Sequence, residues 1–133
     1  MPNWALNEGR VYTGIGSRRT PAPVLNLQTR VARHLAELDY WLVSGGAPGS
    51  DTALYEGAPK AHTASLPWDG FEDSPLVHPI VKEAYDIASL YHPNWDNLTQ
   101  AARKLMARNC HQVLGPSLRS KSAFVLCWTP DGC

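Results

Sequence analysis

This chain predicts an α/β protein built on a mainly parallel sheet with helices over both faces, and two observations carry that expectation. Strand-like runs alternate with helix-like runs, and two glycine-rich turns each sit where a strand hands over to a helix. The turns are Gly14-Ile15-Gly16-Ser17-Arg18-Arg19, after the run 10–13, and Ser44-Gly45-Gly46-Ala47-Pro48-Gly49-Ser50-Asp51, after the run 40–43. Together they give the pattern of a Rossmann-like three-layer sandwich, in which ligands bind beyond the carboxyl ends of the strands.

Each element has its own signal. Val11, Tyr12, Thr13 and Ile15 form a β-rich run ended by Gly16. A helix follows Pro21 and Pro23, with Leu27, Val31, Leu35 and Leu38 as its apolar stripe; His34, among apolar neighbours, is expected to be packed. The run 40–43 is apolar throughout, as a strand buried on both faces requires. Ser50 or Asp51 caps the next helix, which runs through Ala53, Leu54 and Tyr55 to Gly57. A short strand is expected at 62–66. The stretch 67–79, rich in Pro, Asp and Gly and carrying Trp68 and Phe71, reads as a flap over the site. Ile80, Ala84, Ile87, Ala88 and Tyr91 mark a third helix that His92-Pro93 stops. Leu98, Ala101, Ala102, Leu105 and Met106 mark a fourth, with Arg103, Lys104 and Arg108 towards its polar side. Residues 123–128 read as a last buried strand, left through Thr129-Pro130-Asp131-Gly132.

Composition bounds what this scaffold can do. A chain of 133 residues is one domain, 1–133, and folding at this length buries about two-thirds of its surface. Twelve Lys and Arg balance twelve Asp and Glu, so any nucleic-acid contact must come from local patches. A basic leader followed by an apolar stretch is lacking, as is an apolar run of about 18 residues, which predicts a cytoplasmic protein without membrane contact. Cys110, Cys127 and Cys133 have no CxxC spacing, and His62, His78 and His111 lack zinc-ligand spacing, so neither disulfide framework, metal nor cofactor is expected.

The glycine turns carry the chemistry. Glycine lets backbone N–H groups approach a phosphate at a helix N-terminus, where the helix dipole favours negative charge. The candidate phosphate-binding residues are therefore Gly14, Gly16, Ser17, Arg18, Arg19, Ser44, Gly45, Gly46, Gly49, Ser50 and Asp51. Each has a structural alternative: the glycines supply positive φ, Ser17 caps its own turn, and Asp51 reads as a helix cap ahead of a ribose ligand. Arg18, directly after the turn, is favoured over Arg19 as a bidentate phosphate contact. The first turn lacks the third glycine of the dinucleotide fingerprint, and no Gly-Lys-Ser/Thr triplet provides a Walker loop. Tyr91 and Trp95 could stack a base, although core anchoring is the favoured role. Lys104 and Arg108 either follow a phosphate backbone or form a wet helix face, the second being favoured. Glu56 and Glu83 are the carboxylates open to acid/base work, and neither has a visible partner in the sequence.

With Gly14-Ile15-Gly16-Ser17-Arg18 after a strand, and Val43-Ser44-Gly45-Gly46-Ala47 with Gly49 and Asp51, the chain resembles the nucleotide-binding core of DNA-processing protein A, the Smf family. That core is similar to a wider Rossmann-like group including the cytokinin-activating Lonely Guy phosphoribohydrolases, and the closing Trp128-Thr129-Pro130-Asp131-Gly132 resembles compact phage-encoded members. The resemblance implies single-stranded DNA binding in recombination, phosphates held by the two turns, help in loading a recombinase, and residence in a host cytoplasm. Relatives continue past this last strand into another glycine-rich turn and helix, so a C-terminally shortened member or a truncated chain is expected. The Pro-Gly-Gly-x-Gly-Thr motif of the Lonely Guy enzymes has no counterpart. Two alternatives stand beside DNA binding: a binder or sensor of a small nucleotide-derived signal, and a nucleotide N-glycosidase. A homodimer or higher homo-oligomer is expected through the sheet edge left by the last strand.

Overall fold

The computed structural model describes residues 9–73 and 79–130. Four strands, β1 (Val11–Gly16), β2 (Trp41–Ser44), β3 (His62–Ala64) and β4 (Phe124–Trp128), pair entirely in parallel in the order β3-β2-β1-β4. Four helices connect them: α1 (Ala22–Glu37), α2 (Ser50–Gly57), α3 (Lys82–Tyr91) and α4 (Gln100–Leu114). This is the Rossmann-like three-layer α/β sandwich, with the first four strands of the 3-2-1-4-5-6 order of dinucleotide-binding folds. No helix among the described residues is long and apolar enough to cross a membrane.

The two faces of β1 are dressed differently because successive strand residues point opposite ways. Tyr12, fully buried, joins Leu42, Leu54, Ala32 and Ala58 in the core under α1 and α2. Its neighbour Thr13 turns to the other face, where its hydroxyl donates to the Gln112 carbonyl of α4. Outside α4 lies α3, and Ala84, Ala107 and Leu118 form the second cluster between them. His92 and Pro93 end α3 as the sequence requires, with the His92 N–H closing the last turn on the Ala88 carbonyl.

Several sequence expectations shift. In α1 the buried residues are Gln28 and Ala32, whereas Leu27 and Leu38 are 52% and 49% exposed. The cause is a close helix crossing: a Cβ on Gly57 would lie 2.8 Å from the Ala32 Cβ, and the Thr29 hydroxyl donates to the Ala53 carbonyl at 2.7 Å. Small and polar residues face α2, and of the expected apolar stripe only Leu35, packed against the core, and half-buried Val31 turn inward. His34 is exposed, with its ring 3.9 Å from the Glu37 carboxylate instead of in the core. Tyr40 precedes β2, its ring 6.4 Å from Tyr12 and 5.8 Å from Phe124. The last strand is not buried: among the described residues β4 pairs with β1 alone, and Phe124 is 39% and Val125 44% exposed. In the flap stretch, Trp68 meets Phe71 edge-on at 5.2 Å, and Phe71–Asp73 form a 3-10 turn; residues 74–78, including His78, lie outside the described residues.

Candidate functional site

Both glycine turns leave the carboxyl ends of adjacent parallel strands, so they meet at one edge of the sheet. The strand order reverses at β1, with β2 and β3 to one side and β4 to the other. Gly16 and Trp128 are in register at that switch point. Sheets of this kind open a crevice there because the connections on either side leave over opposite faces. The segment 17–20 stands on one side of it and Thr129 on the other.

The two turns form a clasp. The Ser17 carbonyl accepts from the Thr20 N–H at 3.3 Å, the Thr20 hydroxyl at 2.7 Å and the Ser50 N–H at 3.4 Å, and the Thr20 and Ser50 hydroxyls lie 2.7 Å apart. Ser17 also caps its own turn, its Oγ accepting from the Arg19 N–H at 2.9 Å. Gly49 has φ +86, and a Cβ there would lie 2.7 Å from the Ser17 carbonyl oxygen and 2.8 Å from the Arg18 Cα. Only glycine satisfies both the dihedral and the approach.

The glycines of the first turn work differently from the sequence expectation. Gly14 and Gly16 belong to β1 itself, not to a turn, and neither has positive φ. Gly14 is buried, where a Cβ would press on the Leu54 and Leu42 side chains, and Gly16 abuts Ser50. In the second turn Gly45 gives room to Arg108, and Gly46, at φ +73, to Leu66. Ser44 is fully buried, its Oγ 2.6 Å from His62 Nε2, so its hydroxyl faces the α2 side of the sheet. Neither Ser50 nor Asp51 caps α2; Gly49 is the N-cap, because the chain enters the helix through a conformation only glycine tolerates.

Beneath the clasp lie two buried charged groups. Asp51, 5% exposed, accepts the Ala47 N–H on Oδ2 at 3.1 Å, and its buried Oδ1 has no hydrogen-bond partner among the described residues. Burial pushes its carboxyl above the ordinary carboxylate range, against the opposing pull of the Ala47 N–H and the Arg108 charge. Arg108 is not on a wet face: it is 8% exposed and donates from Nη1 to the Gly45 carbonyl at 2.7 Å and the Ser65 carbonyl at 3.4 Å. Its guanidinium also sits 5.9 Å from the centre of the Phe71 ring. Burial lowers its pKa, and the Asp51 charge opposes that.

Arg18 and Arg19 are exposed, and Arg18 makes a 3.4 Å ion pair with Glu72. Further from the sheet, α4 runs antiparallel to the strands: Gln112 is level with Thr13, and Arg108 with the strand ends at Gly45 and Ser65. Lys104 therefore stands another turn, about 6 Å, beyond the carboxyl edge. Because the Val81 N–H donates to His111 Nε2, α3 starts low beside α4 and delivers Tyr91 to the same upper end. Tyr91 is 82% exposed and is not a core anchor, while Trp95 is half-buried with the Arg103 guanidinium 5.1 Å from its ring centre.

The two carboxylates considered for catalysis are elsewhere. Glu56 lies in the last turn of α2, exposed, and Glu83 in the first turn of α3, 3.7 Å from Arg119 in the loop that enters β4. Neither element end is at the carboxyl edge. Among the described residues no group of three or more His, Cys, Asp or Glu is placed to hold a metal ion. Sequence reasoning placed Phe71 in a flap over the site but missed Thr20, Ser65 and Glu72. Thr20 carries a signal, a hydroxyl residue just before the Pro21 helix start, whereas Glu72 carries none.

Comparison of the chain with protein-family models, with curated proteins and with solved structures finds no match.

Proposed function

We propose that the protein binds nucleotide phosphate at the carboxyl edge of its sheet, over the point where β1 and β4 diverge. The observation that carries this reading is the exposed Arg18-Arg19 pair at the switch point, on a loop whose backbone is braced by Ser17, Thr20, Ser50 and Gly49. A fixed loop presenting two guanidinium groups offers bidentate, charge-assisted hydrogen bonds with little ordering cost. The glycines act on this reading as packing elements, and the phosphate is met by arginine side chains.

In its polymeric form the ligand is single-stranded DNA. The likeness of the two turns to DNA-processing protein A supports this, as do the exposed Tyr91, the Arg103–Trp95 stack and Lys104 at the same end of the molecule. On that reading the protein hands the strand to a recombinase and pairs with a second copy through β4, in a cytoplasm. A small nucleotide-derived ligand is the second reading, favoured by the balance of twelve basic against twelve acidic residues. Hydrolysis at an N-glycosidic bond draws no support from Glu56 or Glu83, which lie away from the clasp.

Anisotropy titrations with a single-stranded oligonucleotide and with a mononucleotide test the proposal. Arg18→Ala weakens binding about tenfold or more. For DNA the logarithm of affinity falls with the logarithm of salt by about 0.7 per phosphate contacted. Binding of neither ligand, or binding indifferent to Arg18, would remove the reading.

A further inference from the structure

The strap 65–72, which follows β3, closes over the second glycine turn and is anchored at three points. Ser65 donates its N–H to the Ser44 carbonyl at 2.7 Å, Leu66 is buried against Gly46, and Phe71 is buried under the Arg108 guanidinium. One residue beyond that last anchor, Glu72 places a carboxylate oxygen 3.4 Å from Arg18 Nη2. Its backbone is left-handed, with φ 48 and ψ 41, a conformation that disfavours any residue carrying a Cβ. The strap thus holds a carboxylate against the arginine best placed to meet a phosphate, and does so from a strained position.

Resting on the phosphate-site reading above, we infer that Glu72 is a built-in competitor: its carboxylate holds Arg18 in place of a ligand's phosphate, and binding exchanges one anion for the other. The exchange is feasible on charge grounds. The pair is open to water, with the Arg18 and Glu72 side chains 57% and 38% exposed, and such pairs are weak. An incoming phosphate gains a guanidinium freed from a weak partner, and the released Glu72 can leave its left-handed conformation. Phe71 stays anchored, so the movement is confined to the end of the strap.

Binding of adenosine 5′-monophosphate and of inorganic phosphate, measured at low ionic strength, tests the exchange. Glu72→Gln removes the charge and keeps the shape, and is expected to tighten binding about two- to fivefold. Glu72→Gly, which suits the left-handed backbone, is expected to do the same. In an Arg18→Ala background neither change alters affinity, and Asp86→Asn, an equal charge change on α3, leaves it unaltered. Unchanged or weaker binding by both Glu72 variants, or equal tightening by Asp86→Asn, overturns the exchange while leaving Arg18-dependent binding in place. No binding by any form, or binding indifferent to Arg18, removes the phosphate site and the exchange together.

Discussion

Arg108 carries a positive charge where water is largely excluded, 63 residues along the chain from the glycine turn it serves. Its Nη1 joins two strand ends by bonding the Gly45 and Ser65 carbonyls, and its charge offsets that of buried Asp51. Truncation would strip two buried carbonyls of their donor and leave the Asp51 carboxyl without its cation. Arg108→Ala is therefore expected to lower unfolding stability by about 3 kcal/mol in chemical denaturation, with Arg108→Lys falling between. A loss below about 1 kcal/mol would show that the guanidinium is not a structural tie. The sequence marks Arg108 as basic but cannot show which way it points. Arg108, His111 and Gln112, spaced three and four apart, make a buried polar stripe that hydropathy reads as a solvent face. The glycines are similar: their positions are legible, but only Gly46 and Gly49 of the five candidates need positive φ, and close packing explains the others.

At the scale of elements, strand and helix order is legible because short β-rich or wholly apolar runs alternate with longer stretches of helical periodicity. What faces what is less so, as α1 shows by turning Gln28 and Ala32 inward to fit Gly57. Strand β4 reads as buried from FVLCW alone, since apolar content does not reveal that, among the described residues, it has one neighbour. The β2–β3 pairing carries a pH dependence that sequence gives no hint of. His62, wedged between Ser44 Oγ and the edge of the Tyr55 ring at 5.0 Å, is held down to about 4 by burial. An unfolded chain's imidazole takes its proton near pH 6.5, while the folded one refuses it until about pH 4, so protons favour unfolding between those values. Stability is fully present above about pH 6.5 and falls as the pH drops towards 4, by up to about 3 kcal/mol from this group. Denaturation midpoints across that range should fall more steeply for the native chain than for His62→Gln; parallel slopes would contradict the burial argument.

For the molecule as a whole, topology does what no single motif can. The order β3-β2-β1-β4 puts the switch point at the end of β1, and that end carries Arg18 and Arg19. Two turns 30 residues apart become one clasp because their strands are neighbours, a step the sequence supports through strand–turn–helix repetition. A flap at 67–79 is legible from its composition, but its Glu72–Arg18 contact and the reach of α4 over the carboxyl edge depend on long-range packing and are not. The central claim is that ligand phosphate meets the molecule at this edge. It is tested most directly by backbone and arginine Nε chemical-shift mapping during titration with adenosine 5′-monophosphate and with a short single-stranded oligonucleotide. The account predicts that the largest perturbations fall on residues 17–20, the Arg18 and Arg19 side chains and Thr129, with residues 117–121 at the opposite end unmoved. Perturbations centred on 117–121, or none at 17–20 at saturating ligand, would contradict it.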